Sequence, residues 1–188
     1  VNVPVVTVGR ITTLFEAEDI LKTNKADFVA LGRALIADPD IVNKTLNQNT
    51  NIRYCIGCNQ GCIDRCHRGE PITCIYNPTV GKEKDAVILN TNKPQNIAII
   101  GAGPAGMQAA VTASERGHYV DLYEKESRLG GQLRLAQIPP TREEIGYITE
   151  FLEEQLKRTG VKIHLNVKVD KGYLKSKNYD SYIFATGS

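Results

Sequence analysis

The stretch Asn96-Ile97-Ala98-Ile99-Ile100-Gly101-Ala102-Gly103-Pro104-Ala105-Gly106 decides how this chain is read. Asn96–Ile100 is short and apolar, which predicts a buried strand. Three glycines in GxGxxG spacing follow at once, and Pro104 stands where a helix takes its first residue. Pro104–Arg116 continues with helical spacing and stops at Gly117. Tyr119–Tyr123 predicts a second strand, ending at Glu124, about 20 residues beyond the glycines. A GxGxxG by itself is a weak signal and can be a plain structural turn. Set between a strand and a helix, with an acid at the end of the next strand, it has the context of a dinucleotide fingerprint. Gly101 then permits the tight turn. Gly103 lets the backbone approach a pyrophosphate where Pro104 and Ala105 open the helix, and Gly106 lets helix and strand pack closely. Glu124 can accept hydrogen bonds from ribose hydroxyls.

Toward the carboxyl end, Gly130-Gly131-Gln132-Leu133 offers backbone close to where a nucleotide would lie, a simple loop being the other reading. Thr141–Glu144 has capping-box spacing, and the helix behind it is expected to reach Thr159 with Gly160 as its stop. Ile145, Ile148, Leu152 and Leu156 form its apolar stripe. Val161–Val167 and Tyr182–Ala185 predict two more strands. Thr186-Gly187-Ser188 closes the sequence at a strand end, the end that faces the ligand crevice in an open α/β sheet.

Toward the amino end, Val3–Val8 and Asp27–Leu31 predict two buried parallel strands. Between them Thr13-Leu14-Phe15-Glu16 is a capping box, followed by Leu14, Ala17, Ile20 and Leu21 at helical spacing. Asp38-Pro39 is expected to open a further helix running to about Leu46. Two strand–helix units in succession imply α/β architecture. Gly9-Arg10 and Gly32-Arg33 each follow a predicted strand. At the carboxyl ends of barrel strands, glycine N–H groups and an arginine fork suit a flavin phosphate. Two ordinary loop arginines remain the alternative.

From Asn47 to Asn92 periodicity fades, and all five cysteines fall between Cys55 and Cys74. An odd number crowded so tightly makes a poor disulfide framework and points to a metal or cluster site in a reducing compartment. Cys55-x2-Cys58-x3-Cys62, with Cys74 as a distant fourth, suits an iron–sulfur cluster held by four thiolates; zinc is the principal alternative. Cys66 is surplus to that set, and His67 beside it reads as a surface side chain.

The 188 residues are 41% hydrophobic and 23% charged, which excludes wholesale disorder. A net charge of +2 gives no reason to expect a nucleic acid or a membrane surface as partner. The most apolar window, 97–113, is broken by three glycines and Pro104 and carries Gln108, so no membrane span is expected. Met107 is the one methionine, in mid-chain.

A Gly-Arg pair at each of two strand ends, a cysteine quartet and a dinucleotide fingerprint, in that order, resemble the iron–sulfur flavoenzymes related to 2,4-dienoyl-CoA reductase and trimethylamine dehydrogenase. These belong to the NADH:flavin oxidoreductase family, with an Old Yellow Enzyme-like barrel. The matching stretches are Val5–Arg10, Phe28–Pro39, Cys55-Ile56-Gly57-Cys58-Asn59-Gln60-Gly61-Cys62, Cys74–Pro78, and Ile99–Gly106 through Gly131-Gln132. The resemblance implies that residues 1–48 are the last two strand–helix units of an FMN-binding (β/α)8 TIM barrel. Residues 49–92 would be the iron–sulfur segment and linker, and 93–188 the first part of a Rossmann-like domain for FAD (or ADP) and NAD(P).

It further implies that Gly9, Arg10, Gly32 and Arg33 contact FMN. Cys55, Cys58, Cys62 and Cys74 would hold a 4Fe-4S cluster. Gly101, Gly103, Pro104, Ala105, Gly106, Glu124, Gly131 and Gln132 would serve the FAD site. In the reductases of the family, electrons run from NAD(P)H through FAD, cluster and FMN to an activated C=C bond of a small-molecule substrate. In the amine dehydrogenases they leave FMN through the cluster to an electron-transfer flavoprotein. A complete barrel needs about 250 residues. A central fragment is therefore expected, with most of the barrel upstream and the nicotinamide-binding part downstream, and no catalytic acid or base of its own. Such a piece should fold poorly in isolation. A standalone electron-transfer module and a redox sensor are the rival expectations, and the location expected is cytoplasmic.

Overall fold

The computed structural model describes residues 2–187, so Val1 and Ser188 lie outside it. The chain divides into two compact units, at Ala86/Val87.

In the first unit, β1 (Val6–Val8) pairs in parallel with β2 (Phe28–Ala30), with Val6 opposite Phe28 and Val8 opposite Ala30. Both strands are shorter than predicted, and they are not buried. Val6 is 59%, Val8 71% and Phe28 57% exposed, because among the described residues these strands pair only with each other. Helix α1 (Leu14–Lys22) crosses between them and starts as predicted. The Thr13 hydroxyl accepts from Glu16 N–H, and the Glu16 carboxylate accepts from Thr13 N–H. After β2 come α2 (Arg33–Ala37), absent from the sequence reading, and α3 (Ile41–Leu46).

Asp38-Pro39 does not open a helix as expected. The Asp38 carboxylate, 2% exposed, instead accepts from Arg53 N–H at 2.9 Å and Asp40 N–H at 3.1 Å, and pairs with the Lys44 ammonium at 2.6 Å. A buried charge needs such partners more than a helix end needs a cap. The same contacts tie the cysteine-bearing segment down. Ile52 packs on Ala34 and Ile41, and the buried Asn77 amide donates to Ala37 C=O at 3.1 Å. One short helix, α4 (Ile63–His67), follows Cys62.

The second unit is a four-stranded, all-parallel sheet. Its strands are β3 (Asn96–Ile100), β4 (Tyr119–Tyr123), β5 (Lys162–His164) and β6 (Ser181–Phe184), in spatial order β5-β4-β3-β6. Helix α5 (Pro104–Glu115) joins β3 to β4. Then come α6 (Leu133–Ala136) and α7 (Gly146–Thr159), which packs on α5 and buries Ile148, Phe151, Leu152 and Leu156. Ile145, predicted in that stripe, sits in a 3-10 turn instead. The Thr141–Glu144 box does not form. Thr141 has φ +67, a left-handed conformation that is not the extended one an N-cap takes. Gly160 stops α7 in the left-handed region, as predicted. Ala98, Ile100 and Tyr123 on the other sheet face pack against Val167, Val169 and Tyr179, and against Tyr173 and Leu174 of α8 (Lys171–Lys175). In this order β3 and β6 flank the point where the sheet reverses its winding. Their carboxyl ends therefore open the crevice where α/β sheets bind ligands.

Candidate functional site

The cysteine quartet converges. Cys55, Cys58, Cys62 and Cys74 line one cavity, together with Arg33, Asn59, Tyr76 and mostly apolar neighbours such as Ile36, Ile56 and Ile75. Spacing groups the first three, whereas Cys74 arrives through Gly61. Gly61 C=O accepts from Thr73 N–H at 2.6 Å, and a Cβ at Gly61 would stand 2.6 Å from Thr73 O and 3.0 Å from Cys74 Cα. Only a residue without a side chain lets the two loop arms lie so close. Gly57 and Asn59 take φ +64 and +62, coiling the loop between the thiols.

Gly57 N–H points at Cys55 Sγ and Tyr76 N–H at Cys74 Sγ, both at 3.4 Å. Burial pushes the Cys55 thiol up. Gly57 N–H and the Arg33 charge pull it down, while Cys74 and Cys58 push it further up. A thiol pushed up by burial and by neighbouring thiols is one whose ionised form a cationic centre favours. Among the described residues no three Cys, His, Asp or Glu side chains come close enough to share a single metal ion. Four thiols lining one cavity suit a cluster, with one thiolate to each iron. Cys66 is exposed on α4 and does not line the cavity.

The two Gly-Arg pairs follow parallel neighbouring strands, so their backbones lie at one end of the β1–β2 ribbon. Gly9 and Arg10 have φ +140 and +47, and a Cβ at Gly9 or Gly32 would meet only open space. Backbone held this way, with room beside it, suits close approach of a phosphate. Arg33 departs from the expectation of a simple phosphate fork. Its Nη1 donates to Asn59 Oδ1 at 2.7 Å, inside the cysteine loop.

In the second unit the glycine turn has the shape of the fingerprint. Gly101, φ +103, sits where a Cβ would meet Ala185 O at 2.4 Å, so β3 and β6 close on it. A Cβ at Gly106 would lie 1.9 Å from Gly101 O, which is the close helix–strand approach expected of it. Gly103 precedes α5 and a Cβ there would meet nothing within 4 Å, which leaves space beside the helix start. Pro104 is the first residue of α5, and Ala105 follows it.

Glu124 is buried. Its carboxylate accepts from Ala102 N–H at 2.8 Å and Glu126 N–H at 3.0 Å, so it holds the glycine turn to the end of β4. A carboxylate has about four acceptor positions, which leaves capacity for a ribose. Gly130 N–H donates to Ala102 C=O, and a Cβ at Gly131, φ +51, would come within 3.0 Å of Gly103 Cα. Gln132 stands just before α6. The second glycine pair thus leans on the first. Sequence reasoning missed Gly61, Asn59, Tyr76, Asp38 and Asn77, whose contacts join segments far apart in the chain. The extra glycine inside the cysteine motif was the one available signal.

Known proteins resemble the chain in two segments and along its whole length. Residues 1–51 match the NADH:flavin oxidoreductase / NADH oxidase family, and residues 99–162 match the NAD(P)-binding Rossmann-like domain. The NADH oxidase of Thermoanaerobacter brockii is 43% identical over the whole chain. A 2-naphthoyl-CoA reductase structure superposes with a TM-score of 0.92 at 29% identity, covering 99% of this chain. Histamine dehydrogenase from Rhizobium sp. 4-9 does so with 0.90 at 28%, covering 98%. The chain spans 29%, 29% and 28% of those three proteins, respectively. The chain is thus similar to these oxidoreductases along its length, with residues 1–51 resembling the NADH:flavin oxidoreductase / NADH oxidase family and residues 99–162 the NAD(P)-binding Rossmann-like domain.

Proposed function

We propose that this chain is the central part of an iron–sulfur flavoprotein oxidoreductase that uses NAD(P)H to reduce an activated C=C bond of a small-molecule substrate. The observation that carries the reading is the convergence of four thiols on one cavity, in a chain that also builds a dinucleotide turn. When bound, a 4Fe-4S cluster, FMN and FAD supply the electron transfer that no side chain of this protein can perform. Cys55, Cys58, Cys62 and Cys74 hold the cluster. Gly9, Arg10, Gly32 and Arg33 receive the FMN phosphate end. Gly101, Gly103, Pro104, Ala105 and Gly106 receive the FAD pyrophosphate, Glu124 its ribose, and Gly131 and Gln132 the adjoining face. The assignment of residues 1–48 to barrel, 49–92 to cluster segment and 93–188 to nucleotide domain follows the same logic. The rest of the barrel, the nicotinamide-binding part and the acid–base groups belong to other parts of the same polypeptide. A thiol-rich cluster site suits the cytoplasm.

The likeness to histamine dehydrogenase favours a second reading, oxidation of an amine with electrons passed to an electron-transfer flavoprotein. The test is anaerobic reconstitution of the full-length protein. About four iron per chain and both flavins are expected, with Cys58→Ser losing the iron and Cys66→Ser keeping it. Stoichiometric zinc without iron overturns the cluster. NADPH or NADH consumption with an α,β-unsaturated acid or thioester supports the first reaction. Flavin bleaching by an amine alone supports the second.

A further inference from the structure

We propose that Arg33 sets the reduction potential of the cluster held by the quartet, besides its place at the flavin end of β2. The inference rests on the iron–sulfur reading above and concerns a property of the cluster, not its presence.

Arg33 begins α2 directly after Gly32, and its side chain is half-buried. It lines the cavity with the four cysteines, and among the described residues it is the one charged side chain that does so, cysteines aside. The guanidinium is fixed at its far end by the 2.7 Å bond to Asn59 Oδ1. Asn59 is itself held. It lies between Cys58 and Cys62 at φ +62, a conformation Asn tolerates better than most residues, and its C=O accepts from Asp64 N–H at 3.0 Å. The positive charge is therefore held in place beside the thiols rather than swinging free.

Arginine stays charged at every accessible pH. Reduction of a four-thiolate cluster adds one electron to a site that is already negative, with no bond made or broken. A fixed cation with no acid lining the same cavity stabilises the reduced form more than the oxidised one. It therefore raises the potential. Asn59 acts as a positioning residue through Arg33.

The experiment is a dithionite redox titration of the full-length holoenzyme followed by EPR, with iron counted in every sample. In Arg33→Gln the cluster should be harder to reduce. At the wild-type midpoint the oxidised-to-reduced ratio should rise about tenfold, equivalent to about 59 mV for one electron. Arg33→Lys, which keeps the charge, should stay near wild type, and Asn59→Leu should fall between. Full iron content with an unchanged midpoint in Arg33→Gln overturns the proposal. So does an equal fall in Arg33→Lys, which would assign the effect to fork geometry instead of charge. If Arg33→Gln loses iron, Asn59→Leu decides: a lowered midpoint supports the proposal and an unchanged one overturns it. Wild-type protein lacking iron refutes the cluster reading itself, a result distinct from any shift in potential.

Discussion

Gly101 and Gly103 stand two residues apart in one motif and answer to different forces. Gly101 is required by the fold. Its φ of +103 and the 2.4 Å approach to Ala185 O leave no room for a side chain. Gly103 has ordinary backbone and open space, so only a ligand can require it. Gly101→Ala should therefore destabilise the second unit by about 1–3 kcal/mol from backbone strain alone, read as a lower urea midpoint. Gly103→Ala should leave the midpoint unchanged and weaken flavin nucleotide binding, read by flavin retention on a desalting column. Equal destabilisation by both would contradict this division. The fingerprint was legible as a pattern, but which glycine serves the fold became visible only with β6 beside β3.

Among the elements, two segments with the same capping-box spacing behave differently. Thr13–Glu16 forms the box, and Thr12 adds its N–H and hydroxyl to the Glu16 carboxylate. Thr141–Glu144 does not, because Thr141 is left-handed and a 3-10 turn precedes α7. Thr13→Ala should lower stability by about 1 kcal/mol, whereas Thr141→Ala should change it little. Burial pushes the Glu16 carboxyl up, but the Thr12 and Thr13 N–H groups and hydroxyls outweigh it and hold it below the usual carboxylate range. Folded Glu16 thus binds its proton less tightly than in the unfolded chain. Its contribution is complete above the unfolded value and is lost as pH falls through the lowered folded one. Urea midpoints measured across that acid range should fall less steeply in Glu16→Gln than in wild type. Parallel curves would refute the assignment.

At the scale of the whole molecule, the mostly exposed stretch 82–93, which contains the division between the two units, carries Lys82 and Lys84 and has neither helix nor strand. Exposed backbone without regular pairing is where proteases cut. Trypsin should cleave the full-length protein there, leaving iron with the amino-terminal product and adenine nucleotide binding with the other. Iron in the carboxyl-terminal product would contradict the assignment. Among the described residues, no helix is long and apolar enough to cross a membrane, in line with the interrupted window 97–113.

By itself the sequence determined the local facts: where the six parallel strands and helices α1, α5 and α7 lie, the α1 cap, the glycine turn and the cysteine spacing. Each of these depends on residues near one another in the chain. Only the tertiary structure decided what depends on distant pairs. Gly61 against Thr73 draws in Cys74, Asp38 is drawn from capping into an ion pair with Lys44, and Arg33 reaches Asn59 in the cysteine loop. Periodicity carries no record of such contacts. They are set by packing and by the need to pair each buried charge, and both exist only once the chain has folded.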